Sequence, residues 1–254
     1  MKALRVVPFG VVFLALAARP QAQKVLLRFG LVTGTPFHYV LRDIRAGREL
    51  LLNVTETVTD SSGVRTLSTH VDSALFLVPG RPPQSPGSIG DFTVRTDERR
   101  RWIDSVGGED TILAGLRAAV LGRVVPLPEG PIGAGDSWKV EFPTRITYHQ
   151  DPSYVATAKA KVKVKSVDFS ASDTTVVLEF SLHLDGSQPP KQDWPEVDVT
   201  GDLKGQEAFS LHAGMTQHLK LGGRVEWSWS AMGPHGLLPH TFETEIDLVR
   251  DLAP

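Results

Sequence analysis

The chain of 254 residues contains no cysteine. That removes disulfide scaffolds, thiolate nucleophiles, cysteine-ligated zinc, iron–sulfur clusters and lipid attachment through an N-terminal cysteine. Net charge is small as well, since 27 Lys and Arg stand against 29 Asp and Glu and leave a formal charge of −2. Such a balance gives no overall attraction to a polyanion, so nucleic acid is not an expected partner. The strong catalytic signatures are missing as well. There is no Gly-x-Ser-x-Gly elbow, no phosphate-binding Gly-rich loop ending in Lys-Ser/Thr, and no His-Glu-x-x-His helix.

What is present begins with an export pattern. Lys2 and Arg5 precede an apolar stretch from Val6 to Ala18, interrupted by Pro8 and Gly10, and small residues follow at Ala15, Ala17, Ala18 and Ala22. About 13 apolar residues rise only about 20 Å as a helix, short of a hydrocarbon core of about 30 Å. A secretory signal within residues 1–22, cut between about Ala17 and Ala22, is therefore expected rather than a membrane anchor. Loss of Lys2 and Arg5 moves the formal charge from −2 to −4, and a cut after Ala22 also removes Arg19. The expected location is periplasmic or secreted, with no transmembrane anchor after cleavage.

Beyond residue 22 apolar and polar side chains alternate, which is the signal of half-buried strands. Val25, Leu27, Phe29 and Leu31 share one face, then Phe37, Tyr39 and Leu41, then Leu50, Leu52, Val54 and Val58. Segments at 64–78, 91–97, 100–106, 137–149, 154–169, 174–185, 202–212, 215–232 and 238–250 continue it, making about twelve strand candidates. Many long strands accumulate twist, and a sheet of more than about ten of them curls or closes. The fold class expected is mainly β: a large, strongly curved antiparallel sheet, half-barrel or barrel-like, with one amphipathic helix packed on it.

That helix is read over 109–124, where Ile112, Leu113, Leu116, Val120 and Val124 recur at spacings of three and four. Glu109 and Asp110 suit its positive end, and Pro126 and Pro128 terminate it. Pro79–Gly90, Gly186–Gly201 and Gly233–Pro239 read as loops. No charged or low-complexity linker divides the chain, so residues 23–254 are taken as one domain. A two-lobed arrangement about 109–124 is compatible with that reading.

Two patterns bear on function. In the hairpin at 154–185, Lys159, Lys161, Lys163 and Lys165 lie on one face, and a turn near Ala171 sets Lys163 opposite Glu179 and Lys159 opposite His183. This stripe reads either as a solvated outer face that discourages edge association or as an attractor of lipid headgroups or acidic polymers. On the strand at 215–232, Val225, Trp227 and Trp229 share a face. They read as core or as one wall of an apolar chamber in which Ile112, Leu116, Val120, Phe180, Leu182, Trp227 and Trp229 contact an acyl chain.

Weaker chemical signals are read as structural. His235 and His240 precede Glu243 and Glu245, but alternation sends His240 to the opposite face from both glutamates, so no metal site is assigned. His183, His212 and His218 are scattered singly on polar faces, and no catalytic residue is assigned among them. Glu98-Arg99-Arg100-Arg101 reads as a charged turn between two strands.

The run Leu127-Pro128-Glu129-Gly130-Pro131-Ile132-Gly133-Ala134-Gly135-Asp136-Ser137-Trp138 resembles a pattern in a broad family of exported bacterial β-rich proteins of unknown function. There a helix is followed by Leu-Pro, a second proline, and Gly-Asp-Ser/Thr-Trp opening a strand. Gly34 to Phe37, the Asp72-Ser73 pair and the Gly205 to Trp227 hairpin with its Ala-Gly turn fit the same pattern. The resemblance spans most of 25–250 and implies no reaction. By analogy of architecture it is similar to the half-barrel lipoprotein carriers of the bacterial envelope. The leading expectation is an exported, soluble, non-enzymatic protein that binds a lipid or other hydrophobic small molecule, without a cofactor. The alternative is a structural or partner-binding envelope protein with a filled core, and a metal-dependent or triad hydrolase is a remote third.

Overall fold

A computed structural model describes residues 23–45, 48–85, 91–107, 125–145, 155–188, 197–230 and 237–251. Eleven strands form one antiparallel sheet: β1 (Pro36–Arg45), β2 (Arg48–Ser61), β3 (Val64–Leu77), β4 (Phe92–Asp97), β5 (Trp102–Gly107), β6 (Ser137–Arg145), β7 (Val155–Phe169), β8 (Thr174–Gln188), β9 (Val197–Ser210), β10 (Met215–Ser230) and β11 (Leu237–Asp251). Their order is β5-β4-β3-β2-β1-β11-β10-β9-β8-β7-β6. Two meanders, β1–β5 and β6–β11, are thus joined where the first strand meets the last, with His38 opposite Asp251 and Arg45 opposite Thr244. The sheet is nearly closed and barrel-like. Bulges at Asn53/Val54, Arg95/Thr96, Val164/Ser166 and Thr216/His218 each add local bend and twist, which a sheet needs to curl this far.

Alternation decides which side chains turn inward. Leu41, Leu52, Val58, Ala158, Val162, Val176, Leu178, Leu219 and Leu248 are buried in one continuous apolar cluster, while Arg42, Asn53, Lys159, Lys163, His218 and Lys220 face out. Burying a side chain such as Leu or Val contributes about 1.5–3 kcal/mol each. The lysine hairpin has the expected register, with Lys163 opposite Glu179 and Lys159 opposite His183. Its bulge lets Lys165, rather than Lys163, reach Glu179 at 2.9 Å.

The first expected strand is different. Residues 23–34 make only one bridge, Val25 with Ile132, and then cross one end of the barrel as a strap. Phe29 donates to the Glu98 carbonyl, Gly30 to the Gly214 carbonyl, Val32 to the Ala213 carbonyl and Gly34 to the Val58 carbonyl. Leu27 and Phe29 are buried, but Gly30 at φ +63° breaks the alternation and leaves Leu31 exposed. Gly214 makes the crossing feasible. At φ +66° it lies so close to the strap that a Cβ would fall 2.6 Å from the Arg28 carbonyl oxygen.

Other expectations shift at their edges. β8 and β9 run to Gln188 and from Val197, so the loop read over 186–201 is shorter than expected. The helix expected over 109–124, including Ile112, Leu116 and Val120, lies outside the described residues. No described helix is long and apolar enough to cross a membrane.

Candidate functional site

The strapped end is sealed around a buried charge pair. The Asp97 carboxylate accepts the Arg99 and Arg101 backbone N–H groups at 2.9 and 2.8 Å, folding the β4–β5 turn so that Arg100 takes φ +60° and points inward. Burial pushes the Asp97 carboxyl up, but the hydrogen bonds from Arg101 and Arg99 outweigh it and the net shift is downward. Arg100 then donates to both carboxylate oxygens of Glu207, at 3.0 and 2.8 Å, and to Thr216 Oγ1 at 3.1 Å. The β10 bulge turns Thr216 inward, where its hydroxyl donates to Glu207 at 2.6 Å. Phe29 and Phe209 cover the guanidinium, 5.4 and 4.8 Å from ring centre to carbon, and Tyr39 donates to the Thr216 carbonyl. Arg100 and Glu207 are 1% and 2% exposed. With solvent excluded and the two charges matched, although Arg100 Nε keeps no hydrogen-bond partner, this cluster ties the two meanders together. The charged turn expected at Glu98–Arg101 is correct for Arg101 but not for Arg100.

The sheet fails to close between its edge strands β5 and β6. At the strapped end Val125–Pro128 staples them, with Leu127 N–H donating to the Arg99 carbonyl and Trp138 Nε1 donating to the Pro126 carbonyl. The element Gly133–Trp138 sets that staple. Gly135 takes φ +89°, and the Asp136 carboxylate accepts the Gly133 N–H at 2.9 Å, behind it rather than ahead of it in the chain. Beside the staple lies a cavity of about 390 Å³ lined by Trp102, Leu127, Trp138, Val140, Phe142 and Pro143, among others. Arg99, Arg101, Lys139, Glu129 and Glu141 border it. Arg99 is occupied by Glu129 at 2.6 Å and by the Leu127 carbonyl, and Arg101 by Asp97.

The outer face carries a second feature. Register places residues in a line running across the strands: Lys139 opposite Lys161, Lys161 opposite Ser181, Ser181 opposite Lys204, Lys204 opposite Gly222, Gly222 opposite Glu245 and Glu245 opposite Ile44. Two adjoining grooves of about 1100 and 510 Å³ follow this line and share Lys161, Ser181 and Lys204. Small residues keep the floor low: Gly205, Gly222 and Gly223 line the larger groove, and a Cβ on Gly223 would fall 2.1 Å from the Asp202 carbonyl oxygen. Among the described residues Glu179 is paired with Lys165, Glu245 with Lys220 and Asp202 with His183. Lys139, Lys161 and Lys204 have no ion-pair partner there.

Of the residues read as ligand contacts, the side chains of Phe180 and Leu182 are among those described. Phe180 and Leu182 are buried in the sheet interior, with the Phe180 ring packed beneath Gly205. Trp227 and Trp229 pair on β10 with Val199 and Val197 of β9, and their side chains, like the 109–124 segment, lie outside the described residues. His183 and His218 bond exposed carboxylates, Asp202 at 2.9 Å and Asp247 at 2.7 Å. No group of three or more His, Asp or Glu among the described residues is arranged to hold a metal ion. No family model matches the chain, and no curated protein or solved structure matches it either.

Proposed function

We propose that this chain is an exported, non-enzymatic protein of the bacterial envelope that holds a lipid or other hydrophobic small molecule at the gap between β5 and β6. The apolar cavity walled by Trp102, Trp138 and Phe142 carries the reading. Its volume falls within the roughly 300–1,000 Å³ usual for small-molecule pockets, and Arg99, Arg101, Glu129, Lys139 and Glu141 share its lining with the apolar residues. Residues 109–124 leave the chain just after Gly107 of β5 and return at Val125 in the staple, so the amphipathic segment is tethered to this gap at both ends. The family resemblance and the analogy to envelope carriers agree with this assignment without adding a reaction.

The test is native mass spectrometry and solvent extraction of purified protein, followed by titration with a fluorescent long-chain fatty acid. Copurifying lipid, or saturable binding weakened about tenfold or more by Val140→Trp, is expected. No bound lipid and no titration, or binding indifferent to V140W, would refute it. The second reading is a partner-binding protein with a filled interior. It is supported by the unbroken apolar cluster in which Leu41, Leu52, Leu219 and Leu248 are at most 1% exposed, and that refuting result would favour it.

A further inference from the structure

We infer that the outer groove centred on Lys139, Lys161, Ser181 and Lys204 is a binding site for an acidic oligosaccharide, a different ligand from the lipid proposed above although Lys139, Val140 and Glu141 line both places. Lys139 and Lys161 face each other directly on neighbouring strands, an arrangement that disfavours the sheet by itself. Lys204 lies one strand further on than Ser181, so a serine hydroxyl sits between two ammonium groups whose backbones are about 10 Å apart. None of the three lysines is neutralised by a described carboxylate. An anionic group seated there would relieve their repulsion and accept three charge-assisted hydrogen bonds and one neutral one.

The rest of the groove selects among anions. Its line crosses seven strands, from β6 to β1, a span of about 29 Å at the usual strand spacing. Among the outward side chains along it only Ile44 is apolar; Val140, Ala160, Phe180, Leu182 and Leu203 also line the grooves but belong to the inward phase, so a lipid tail finds little beyond their edges and the lysine stems to bury. A flat anionic bilayer does not enter a groove, and the strands from β7 to β1 are paired on both sides, so the open edge for a peptide strand is that of β6, at the end of the line and away from Ser181 and Lys204. Glu141, Glu179, Asp202, Glu243 and Glu245 stand along the same line. They repel a polymer whose charges are packed more closely than one per sugar ring, such as polyphosphate, but accept hydroxyl hydrogen bonds. Sparse negative charge with abundant hydroxyl groups is the chemistry of a saccharide bearing uronate or phosphate substituents.

The probe is oligogalacturonate, titrated calorimetrically into the full protein at low and physiological salt beside neutral dextran, poly-glutamate, polyphosphate and phosphatidylglycerol vesicles. Binding of oligogalacturonate that weakens with salt, is absent with dextran and falls about tenfold or more in Lys161→Gln/Lys204→Gln is expected. Lys165→Gln, which removes a lysine already paired with Glu179, should bind as the parent does. No oligogalacturonate binding, equal binding of dextran, tighter binding of polyphosphate, poly-glutamate or vesicles, or retention of affinity in K161Q/K204Q would each overturn the site. The fluorescent fatty acid titration should be unchanged in K161Q/K204Q, so failure of either proposal is read independently of the other.

Discussion

Positive charge is gathered at two places in this molecule and treated in opposite ways. Arg100 is withdrawn from water, gripped through two oxygens of Glu207, bonded to Thr216 and covered by two aromatic rings. Lys139, Lys161 and Lys204 stand in a row in water, while Glu179 and Glu245 are engaged by Lys165 and Lys220. A buried charge must be satisfied inside the fold because desolvation is costly, and once satisfied it has nothing to offer a ligand. An exposed charge gains little from pairing and its repulsion from like neighbours is modest, so it remains available. The contrast separates what holds the barrel from what equips it to bind.

That contrast predicts a graded set of outcomes. Glu207→Ala strands the Arg100 guanidinium without its counter-charge and should lower stability by about 3–5 kcal/mol in urea unfolding, whereas Arg100→Met/Glu207→Leu should cost much less or nothing. Equal losses in the single and double variants would show that packing, not charge, closes this end. Gly214→Val, which strains a left-handed backbone and collides with the strap, should cost at least about 1–3 kcal/mol and raise amide exchange at Phe29 and Gly30.

Asp173 offers a pH test between the two regimes. Burial pushes its carboxyl up, but the Ser210 hydroxyl at 2.5 Å and the His212 backbone N–H at 3.0 Å outweigh it, so its folded-state pKa lies below the ordinary Asp value. A depressed carboxyl stabilises the fold above its unfolded pKa, and that contribution fades as pH falls through the folded value. Asp173→Asn should therefore be less stable than the parent at pH 7, by about 1 kcal/mol, with the difference shrinking below about pH 4. A gap that stays constant to pH 2 would remove the charge from the account. Smallest of all, Lys161→Gln should change stability by no more than about 0.5 kcal/mol, despite its proposed role in binding.

Much of this organisation was legible in the chain. Eleven of twelve alternating segments are strands, and the hairpin register follows from its period and a turn near Ala171, because both strands are local and strongly patterned. The failures have physical causes. Val25–Leu31 alternates like a strand but has no continuous partner, so pattern alone could not tell a strap from a ladder. Arg100 hides within a run of charges, and its partner Glu207 is 107 residues away. A local signal did exist: Glu207 falls in phase with Leu203, Gly205 and Phe209 on the inward face of β9, and a carboxylate in that phase calls for a buried cation. The lysine row depends on the registers of β6 with β7 and β8 with β9, and neither is fixed by a short turn. The seam and its cavity depend on where β5 and β6 come to rest, which no local pattern encodes.

The pairing of β1 with β11 has a consequence for the order of assembly. Each meander can zip from hairpins whose partners are near in sequence, but the ladder from His38 to Asp251 joins residues at almost opposite ends of the chain. Until the fifteen residues of β11 are made, β1 and β10 each present a bare ladder of amide groups, and the loop that must close between them costs entropy before any contact repays it. Folding should be slow, gated by the docking of β11, and most vulnerable to intermolecular association before that strand is in place.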